Sequence, residues 1–465
     1  MCATSSTLII PVENQVREFD AKLLLSCLAA ERGFPVLLGS RAYVHYIAGT
    51  VPRGVYLAKS MRALSQTMFK LLRALGHDIV AWEEEALVHP PQDTYFTLRL
   101  SPGTIDKVSH VFAWGQDNLD LLKNYPHLPE GLPLHLTGNP RGDMLRPELR
   151  AYFDGEVAKL HAQYGRFVLI NTNYSDVNPF IPDIGLFAPG NGTASRRGQA
   201  GIGMSEAFAS GLRDHKEMLF REFQAMVAQL AQAFPDLTIV IRPHPSEKFD
   251  SYLSLAKGCD RVHVDASGNI IPWLLAARAM IHNGCTTGVE AYALRRPALA
   301  YLPGLNALYD FDFQGLPNRL SHQCRSFEQL VDALQSVLEG SVGAAGGAER
   351  ETLASHYLAA RDGALACERI LDVLVDNGYC KALPSPPPRM RATLARALTA
   401  LRARRKQSQY QRADAGRQNY HDHRFPELGV AEVGARIAAL GRTLGRFDRV
   451  EVRSHSKHVF SIACR

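Results

Sequence analysis

The sequence predicts an α/β protein of two Rossmann-like domains facing a cleft, with a basic C-terminal extension. Three observations lead there. Short apolar runs alternate with segments of helical spacing, the signature of parallel strands joined by crossover helices. That alternation fades near residue 150 and resumes at Arg166. Charge also segregates: residues 381–465 hold 18 Lys+Arg against 6 Asp+Glu, so the first 380 residues carry −6 of the chain's total of +6.

In the first domain, placed at 1–150, "TLIIPV" reads as a strand and "REFDAKLLLSCLAAERG" as an amphipathic helix closed by Gly33. "PVLLGS" and "GVYLAKS" are strands on either side of a helix. "MRALSQTMFKLLRALG" is helical and ends at Gly76, and "DIVAW", "HVFAWG" and "LPLHLTG" are three further strands. The second domain, 151–345, opens with the strand "RFVLINTN". A Gly-, Asn- and Ser-rich loop over 185–203 follows, lacking the GK[ST] ending of a phosphate-binding P-loop. It reads as a surface excursion or as a lid. A long helix over about 205–233 leads to the strand "LTIVIRP", then "RVHVD", a helix around "IPWLLAARA", "AMIHNG", a helix from "TTGVEAYALRR" and "PALAYL".

Residues 346–380 read as a helical crossover and 381–465 as a basic tail. The tail begins with the Pro-rich "KALPSPPPRM" and continues into "RMRATLARALTALRARRKQ", a helix carrying Leu394, Leu398 and Leu401 among many arginines. Three readings stay open for that helix: packing on the chain's own acidic body, binding to anionic lipid, or binding to nucleic acid. An anionic membrane surface is the expected partner, and nucleic acid is not.

With 465 residues, 46% of them hydrophobic and 21% charged, the composition is that of a globular protein. No apolar run approaches the roughly 18 residues needed to span a bilayer. The N-terminus meets Pro11 and Glu13 too early for a signal peptide. The eight cysteines form no CxxC pair, which suits reduced thiols rather than a zinc site or disulfide framework. A cytoplasmic protein, peripheral at the inner face of the membrane, is the expectation.

Ligands of open α/β sheets gather at the carboxyl ends of strands, so the residues following each strand are the candidates. After "LTIVI" come Arg242, His244 and Ser246, with Pro243 and Pro245 fixing φ on both sides of the histidine. A rigid His at a strand end can donate to a phosphate oxygen, with Arg242 adding charge. After "AMIH", Asn283 and Gly284 make a tight turn and Thr286 or Thr287 caps the next helix, whose first turn holds Glu290 in reach of a ribose. Asn171 and Asn173 follow "FVLI" and line the same cleft. After "DIVAW" come Glu83, Glu84 and Glu85. Three adjacent carboxylates repel one another, and a raised pKa in one would suit a general base or nucleophile. Arg141 and Asp143 follow the turn at Gly138 and Pro140, either as a structural pair or as a ligand contact.

Three of these motifs occur together in one family. "EEA" at Glu84–Ala86, "HP" at His244–Pro245 and "TT" at Thr286–Thr287 resemble the D/E-D/E-G, HP and S/T-S/T motifs of bacterial sialyltransferases and Kdo transferases. The stretches "PVENQVREFDAKLLLSCLAAERG", "EEEALV", "FAWG", "TGNPRGDML" and "HNGCTTGVEA" resemble the bacterial surface carbohydrate biosynthesis proteins, over about residues 7–303. The resemblance implies a GT-B-type fold, metal-independent chemistry without a cofactor, and a CMP-activated acidic sugar as donor. It implies a catalytic carboxylate in the acidic motif, Glu84 or Glu85, with Glu83 a further choice of register. It implies a donor phosphate held by His244 and the paired threonines. Arg17 and Glu18 at the first helix, with Arg141, fall on the acceptor side. The family's acidic motif ends in Gly where this chain has Ala86, which tolerates positive φ poorly.

The function expected is a transferase moving Kdo or another ulosonic acid from its CMP donor to a surface-polysaccharide or lipopolysaccharide acceptor. Inverting and retaining routes both remain open. Two rivals stand beside it: a CDP-polyol phosphotransferase, and a non-catalytic scaffold of polysaccharide assembly.

Overall fold

The computed structural model describes residues 6–190, 195–310, 315–380, 383, 385–411 and 424–465. They form two compact units. Unit 1 comprises Met1–Tyr152 and Ser355–Arg465, and unit 2 comprises Phe153–Ala354.

In unit 1 the predicted strands form as β1 (Thr7–Val12), β2 (Val36–Ser40), β3 (Gly54–Ala58), β4 (Asp78–Ala81), β5 (His110–Ala113) and β6 (Leu134–Leu136). Each of the first five is buried along its whole length, which is why it reads as a continuous apolar run rather than an alternating one. All six pair in parallel, in the order β2-β1-β3-β4-β5-β6. The helix Gln15–Glu31, buried over most of its surface, packs on β1 and β2.

Unit 2 holds β7 (Phe167–Asn171), a small antiparallel pair β8 (Phe187–Pro189) and β9 (Ser195–Arg197), then β10 (Thr238–Arg242), β11 (Val262–Val264), β12 (Met280–His282), β13 (Ala298–Tyr301) and β14 (His322–Cys324). Six of these form a parallel sheet in the order β11-β10-β7-β12-β13-β14. The chain builds outward from β7 in one direction and then in the other. The topological switch point therefore lies between β7 and β12. One face of the sheet is covered by the long helix Glu206–Ala233, which buries Leu219, Phe223, Met226 and Leu230 against Val168, Ile170 and Ile239.

The C-terminal region, read from sequence as a basic tail, packs on the first sheet and its helices. Residues 355–465 fold with unit 1. The hairpin of β15 (Val450–Ser456) and β16 (Val459–Cys464) adds to the edge of β2 antiparallel, extending the first sheet to eight strands. Phe460 packs edge-on against Phe19 at 6.3 Å, and Phe425 does the same at 6.5 Å. Ion pairs tie the segment to unit 1: Arg436 to Asp20 at 2.8 Å, and Arg446 to Glu31 at 2.6 Å and to Glu368 at 3.0 Å. The physical reason is edge capture. The apolar strand β16 covers an open sheet edge, and part of the segment's positive charge is matched by the body's acids.

The hairpin needs Gly39. A Cβ there would sit 2.3 Å from the His458 carbonyl oxygen and 2.7 Å from Val459 Cα, both backbone atoms that cannot step aside. Gly39→Ala is expected to cost about 1–3 kcal/mol and to loosen the hairpin. Thermal unfolding with limited proteolysis checks this: cleavage C-terminal to residue 424 should accelerate while the rest of the pattern is retained.

Candidate functional site

In unit 1, β1, β3 and β4 are neighbours, and each ends in charge: Glu13 after β1, Lys59 after β3, and Glu83–Glu85 after β4. Burying so many carboxylates is tolerated because cations interleave them. Lys59 pairs with Glu13 and lies 3.5 Å from Glu18. Glu13 is also met by Arg424 at 3.0 Å and Arg41 at 3.7 Å. Burial raises its pKa, but Lys59, Arg41 and Arg424 outweigh that and bring it down to about 2. Glu18 accepts the backbone N–H groups of Glu13 at 3.0 Å and Asn14 at 3.2 Å, closing the first turn of its helix, and takes Lys22 at 2.7 Å. Lys22 in turn reaches the Pro11 carbonyl at 2.8 Å and approaches Glu84 at 3.7 Å.

The three adjacent glutamates have three different fates. Glu84 is 1% exposed; Trp82 Nε1 donates to it at 2.7 Å, and Arg141 stands 3.9 Å from its other oxygen. Glu83 is 2% exposed, and burial pushes its pKa up to about 7 despite Arg99 at 3.8 Å. Glu85 alone reaches solvent, its side chain 30% exposed, and Arg17 grips both of its oxygens at 2.7 and 2.9 Å. Burial raises the Glu85 pKa too, yet Arg17 and Lys59 hold it well below the usual carboxylate range. One carboxyl of the loop thus keeps a proton near neutrality while its neighbour stays ionised, the arrangement that separates acid from base roles. The turn accommodates Ala86 without strain: its N–H donates to the Glu83 carbonyl at 3.3 Å, and it is not among the residues of positive φ.

The structure brings Arg17, Glu18, Glu84, Glu85 and Arg141 into this one network. Sequence reasoning missed Lys22, Lys59 and Glu13. Glu13 and Lys59 follow strands just as the glutamates do, so the same strand-end rule points to them. Lys22 lies one turn beyond Glu18 on a helix face, and nothing in the sequence distinguishes it from a surface lysine.

In unit 2 the register aligns Arg242 with Asn171 and Asn171 with His282, so the loops after β10, β7 and β12 leave the sheet side by side at the switch point. The His-Pro loop is fixed from beneath. His244 N–H donates to Thr172 Oγ1 at 3.2 Å, and Ser246 N–H donates to His244 Nδ1 at 3.2 Å. An accepting Nδ1 leaves the proton of the neutral ring on Nε2. Glu247, fully buried, accepts from Thr172 Oγ1 and Tyr174 N–H, each at 2.9 Å, and from the Tyr252 hydroxyl. Burial lifts its pKa to about 7. Glu247 was not among the sequence candidates, because its partners Thr172 and Tyr174 lie more than seventy residues away.

Arg242 spends its guanidinium on the next loop: Nη1 and Nη2 donate to the Ser267 and Gly268 carbonyls at 2.6 Å each, above the Trp273 ring. Burial lowers its pKa to about 10, while Asp265 and Glu290 act in the opposite direction, so Glu290 lies within electrostatic reach of it. After β12, Asn283 Nδ2 donates to the Tyr301 carbonyl at 2.9 Å. Gly284, at φ 60°, donates to Asn318 Oδ1 at 3.0 Å. Thr286 and Thr287 open the seven-residue helix Thr287–Ala293, both half-buried, as are Pro245 and Asn173. Asn171 is buried, its Nδ2 on Met280 Sδ at 3.4 Å. A cavity of about 190 Å³ opens beside Asn283, lined also by Leu302, Gly304, Asn318 and Gln323. Among the described residues no group of three or more His, Cys, Asp or Glu is arranged to hold a metal ion.

No protein-family model and no curated protein matches the chain. Solved structures of similar shape include the UDP-GlcNAc 2-epimerase of Methanocaldococcus jannaschii, at 12% identity and TM-score 0.46, covering 80% of this chain and 99% of that one. The wall teichoic acid polymerase TagF follows at 9% and 0.47, covering 80% and 89%. Anabaena HepE stands at 13% and 0.41, covering 80% and 99%. Likenesses of this size carry neither activity nor substrate over to this chain.

Glu247 makes a pH-dependent contribution. Its folded pKa of about 7 exceeds the unfolded value near 4.3, so the folded chain binds the extra proton between them. The stability it lends is complete below the unfolded value and is lost as pH rises through about 7. In Glu247→Gln, which keeps an acceptor for Thr172 and Tyr174, that decline should flatten. Glu247→Ala should instead lose about 1–3 kcal/mol at every pH, because three donors are left unpaired. Denaturant unfolding at pH 5 and pH 8 measures both.

Proposed function

We propose that the chain is a glycosyltransferase that moves an acidic sugar, Kdo or another ulosonic acid, from a CMP-activated donor to a surface-carbohydrate acceptor. The observation carrying this reading is the alignment of the β10, β7 and β12 loops at the switch point of unit 2, with His244 held so that Nε2–H is its donor. In this reading the donor phosphate takes the His244 Nε2–H and the Thr286 and Thr287 hydroxyls. In the same reading the cavity beside Asn283 takes the pyrimidine ring. Arg242 and Glu247 do not touch the donor; they hold the loops that do.

Unit 1 supplies the acceptor side. Of the three glutamates, Glu85 is the one a substrate can touch, and we assign it the reacting role. Ionised, it is competent as a nucleophile in double displacement. As a general base it would first have to leave Arg17, which an anionic acceptor group pairing with that arginine would bring about. Glu84 and Glu83 keep the loop in place from within. The departing CMP is stabilised by the same groups that bind its phosphate.

The test is donor turnover. Purified protein is incubated with CMP-Kdo and CMP-nonulosonates, with and without oligosaccharide acceptor, and free CMP is measured. Wild type should release CMP. His244→Ala and Glu85→Gln should each lower the rate by about 10²-fold or more, His244→Ala mainly by weakening donor binding. A phosphodiester product from a CDP-polyol would move the assignment to polyol-phosphate transfer. If wild type and both variants behave alike with every donor, the enzymatic assignment is wrong.

A further inference from the structure

The helix Arg389–Gln411 shows two distinct faces. It packs on unit 1 against the helices Gln66–Leu75 and Arg41–Ile47. The residues it buries there are small: Ala395 and Thr399, with Gly49 of unit 1 close enough that a Cβ on it would lie 3.6 Å from Thr399 Cβ. The large apolar residues point the other way. Met390, Leu394, Leu398 and Leu401 are 46–87% exposed. At 3.6 residues per turn these four fall within about 80° of arc, and Ala395 and Thr399 are turned about 120° from its centre. A helix that merely packed on its own protein would bury its leucines; this one packs through Ala395 and Thr399 and leaves Leu394, Leu398 and Leu401 exposed.

The charge around the stripe has a single sign. Residues 389–411 contain seven Lys+Arg and no Asp or Glu. By helical position Arg391 and Arg402 border one side of the stripe, Arg404 borders the other, and Arg405 falls within it. None of these is paired to a carboxylate in the described ion pairs, unlike Arg424, Arg436 and Arg446 further on. An apolar ridge between arginine rows suits a surface that is hydrocarbon beneath and anionic above: the ridge enters the acyl boundary and the guanidinium groups stay among the headgroups. A nucleic acid would use the arginines but leave the ridge wet.

We infer that the outward face of the helix Arg389–Gln411 is a docking surface for an anionic lipid bilayer. The inference is independent of the donor assignment, because it rests on a face of the chain that the donor and acceptor residues do not share.

Co-sedimentation of the full chain with vesicles tests it, using neutral phosphatidylcholine alone and the same lipid with about a third phosphatidylglycerol. Wild type should pellet with the anionic vesicles and be released by high salt, since surface attraction is screened. Leu394→Gln/Leu398→Gln and Arg391→Gln/Arg404→Gln/Arg405→Gln should each reduce partitioning at least tenfold. Both sets of substitutions are compared with Ala395→Leu, which disturbs the packed face and should lower the melting temperature where the others leave it unchanged. Absence of wild-type binding to anionic vesicles would overturn the inference. So would equal binding to neutral vesicles, or full binding by the leucine variant. CMP release in solution by a protein that ignores vesicles would sink this inference and leave the donor reading intact.

Discussion

The structure depends on how unit 1 buries carboxylates. Glu18, Glu83 and Glu84 are withdrawn from water and Glu13 is half-buried, at the carboxyl ends of parallel strands, where isolated buried ions would cost several kcal/mol each. Each is tolerated by a different device. Glu13 is surrounded by cations, Glu18 by backbone N–H groups and a lysine, and Glu84 by an indole N–H with Lys22 behind it. Glu83 instead keeps a proton near neutral pH. Removing one cation would leave several acids short at once, because Lys22 and Lys59 each serve more than one. The network is thus a single object, and the exposed pair of Glu85 with Arg17 is its outlet to solvent. Such an assembly is a poor way to gain stability, since well-packed apolar residues would serve as well or better. Its place at the carboxyl ends of β1, β3 and β4 marks it as a candidate for chemistry.

Unit 2 solves a different problem: how to hold a histidine still in a loop. Two prolines limit the backbone of the His-Pro segment, but they do not orient the ring. Orientation comes from the Ser246 N–H, and the segment's height above the sheet comes from Thr172 and, below it, Glu247. The histidine and its support therefore come from two neighbouring strands, β10 and β7. Arg242 extends the same frame sideways to the loop at Ser267 and Gly268. A guanidinium held by two carbonyls braces the loop it reaches.

What the sequence makes legible follows from range. Buried parallel strands appear as continuous apolar runs, and the turns behind them are local, so β1–β5, β7, β10, β12 and β13 and their strand-end residues can be read directly. Contacts between distant segments cannot. The pairing of β16 with β2 depends on an edge that exists only after the sheet has formed. A basic composition gives no hint of it, and that is why 381–465 reads as a tail. Glu247 sits three residues from His244 and still goes unnoticed, because its importance lies in Tyr174 and Thr172. The choice among Glu83, Glu84 and Glu85 is likewise invisible in the sequence. Three identical residues differ only in what surrounds them.

The charge asymmetry shows the same limit from the other side. A segment of +12 beside a body of −6 predicts attraction but not its division. The structure divides it by position. Arg424, Arg436 and Arg446 turn inward to Glu13, Asp20 and Glu31, so that part of the segment's charge completes unit 1. The arginines of Arg389–Gln411 flank an exposed apolar ridge instead. Had electrostatic matching to the acidic body been the whole reason for a basic C-terminal region, that helix would present arginines inward and bury its leucines. It packs through alanine and threonine, and the cost of leaving leucine and methionine in water is one that only contact with a further apolar surface removes.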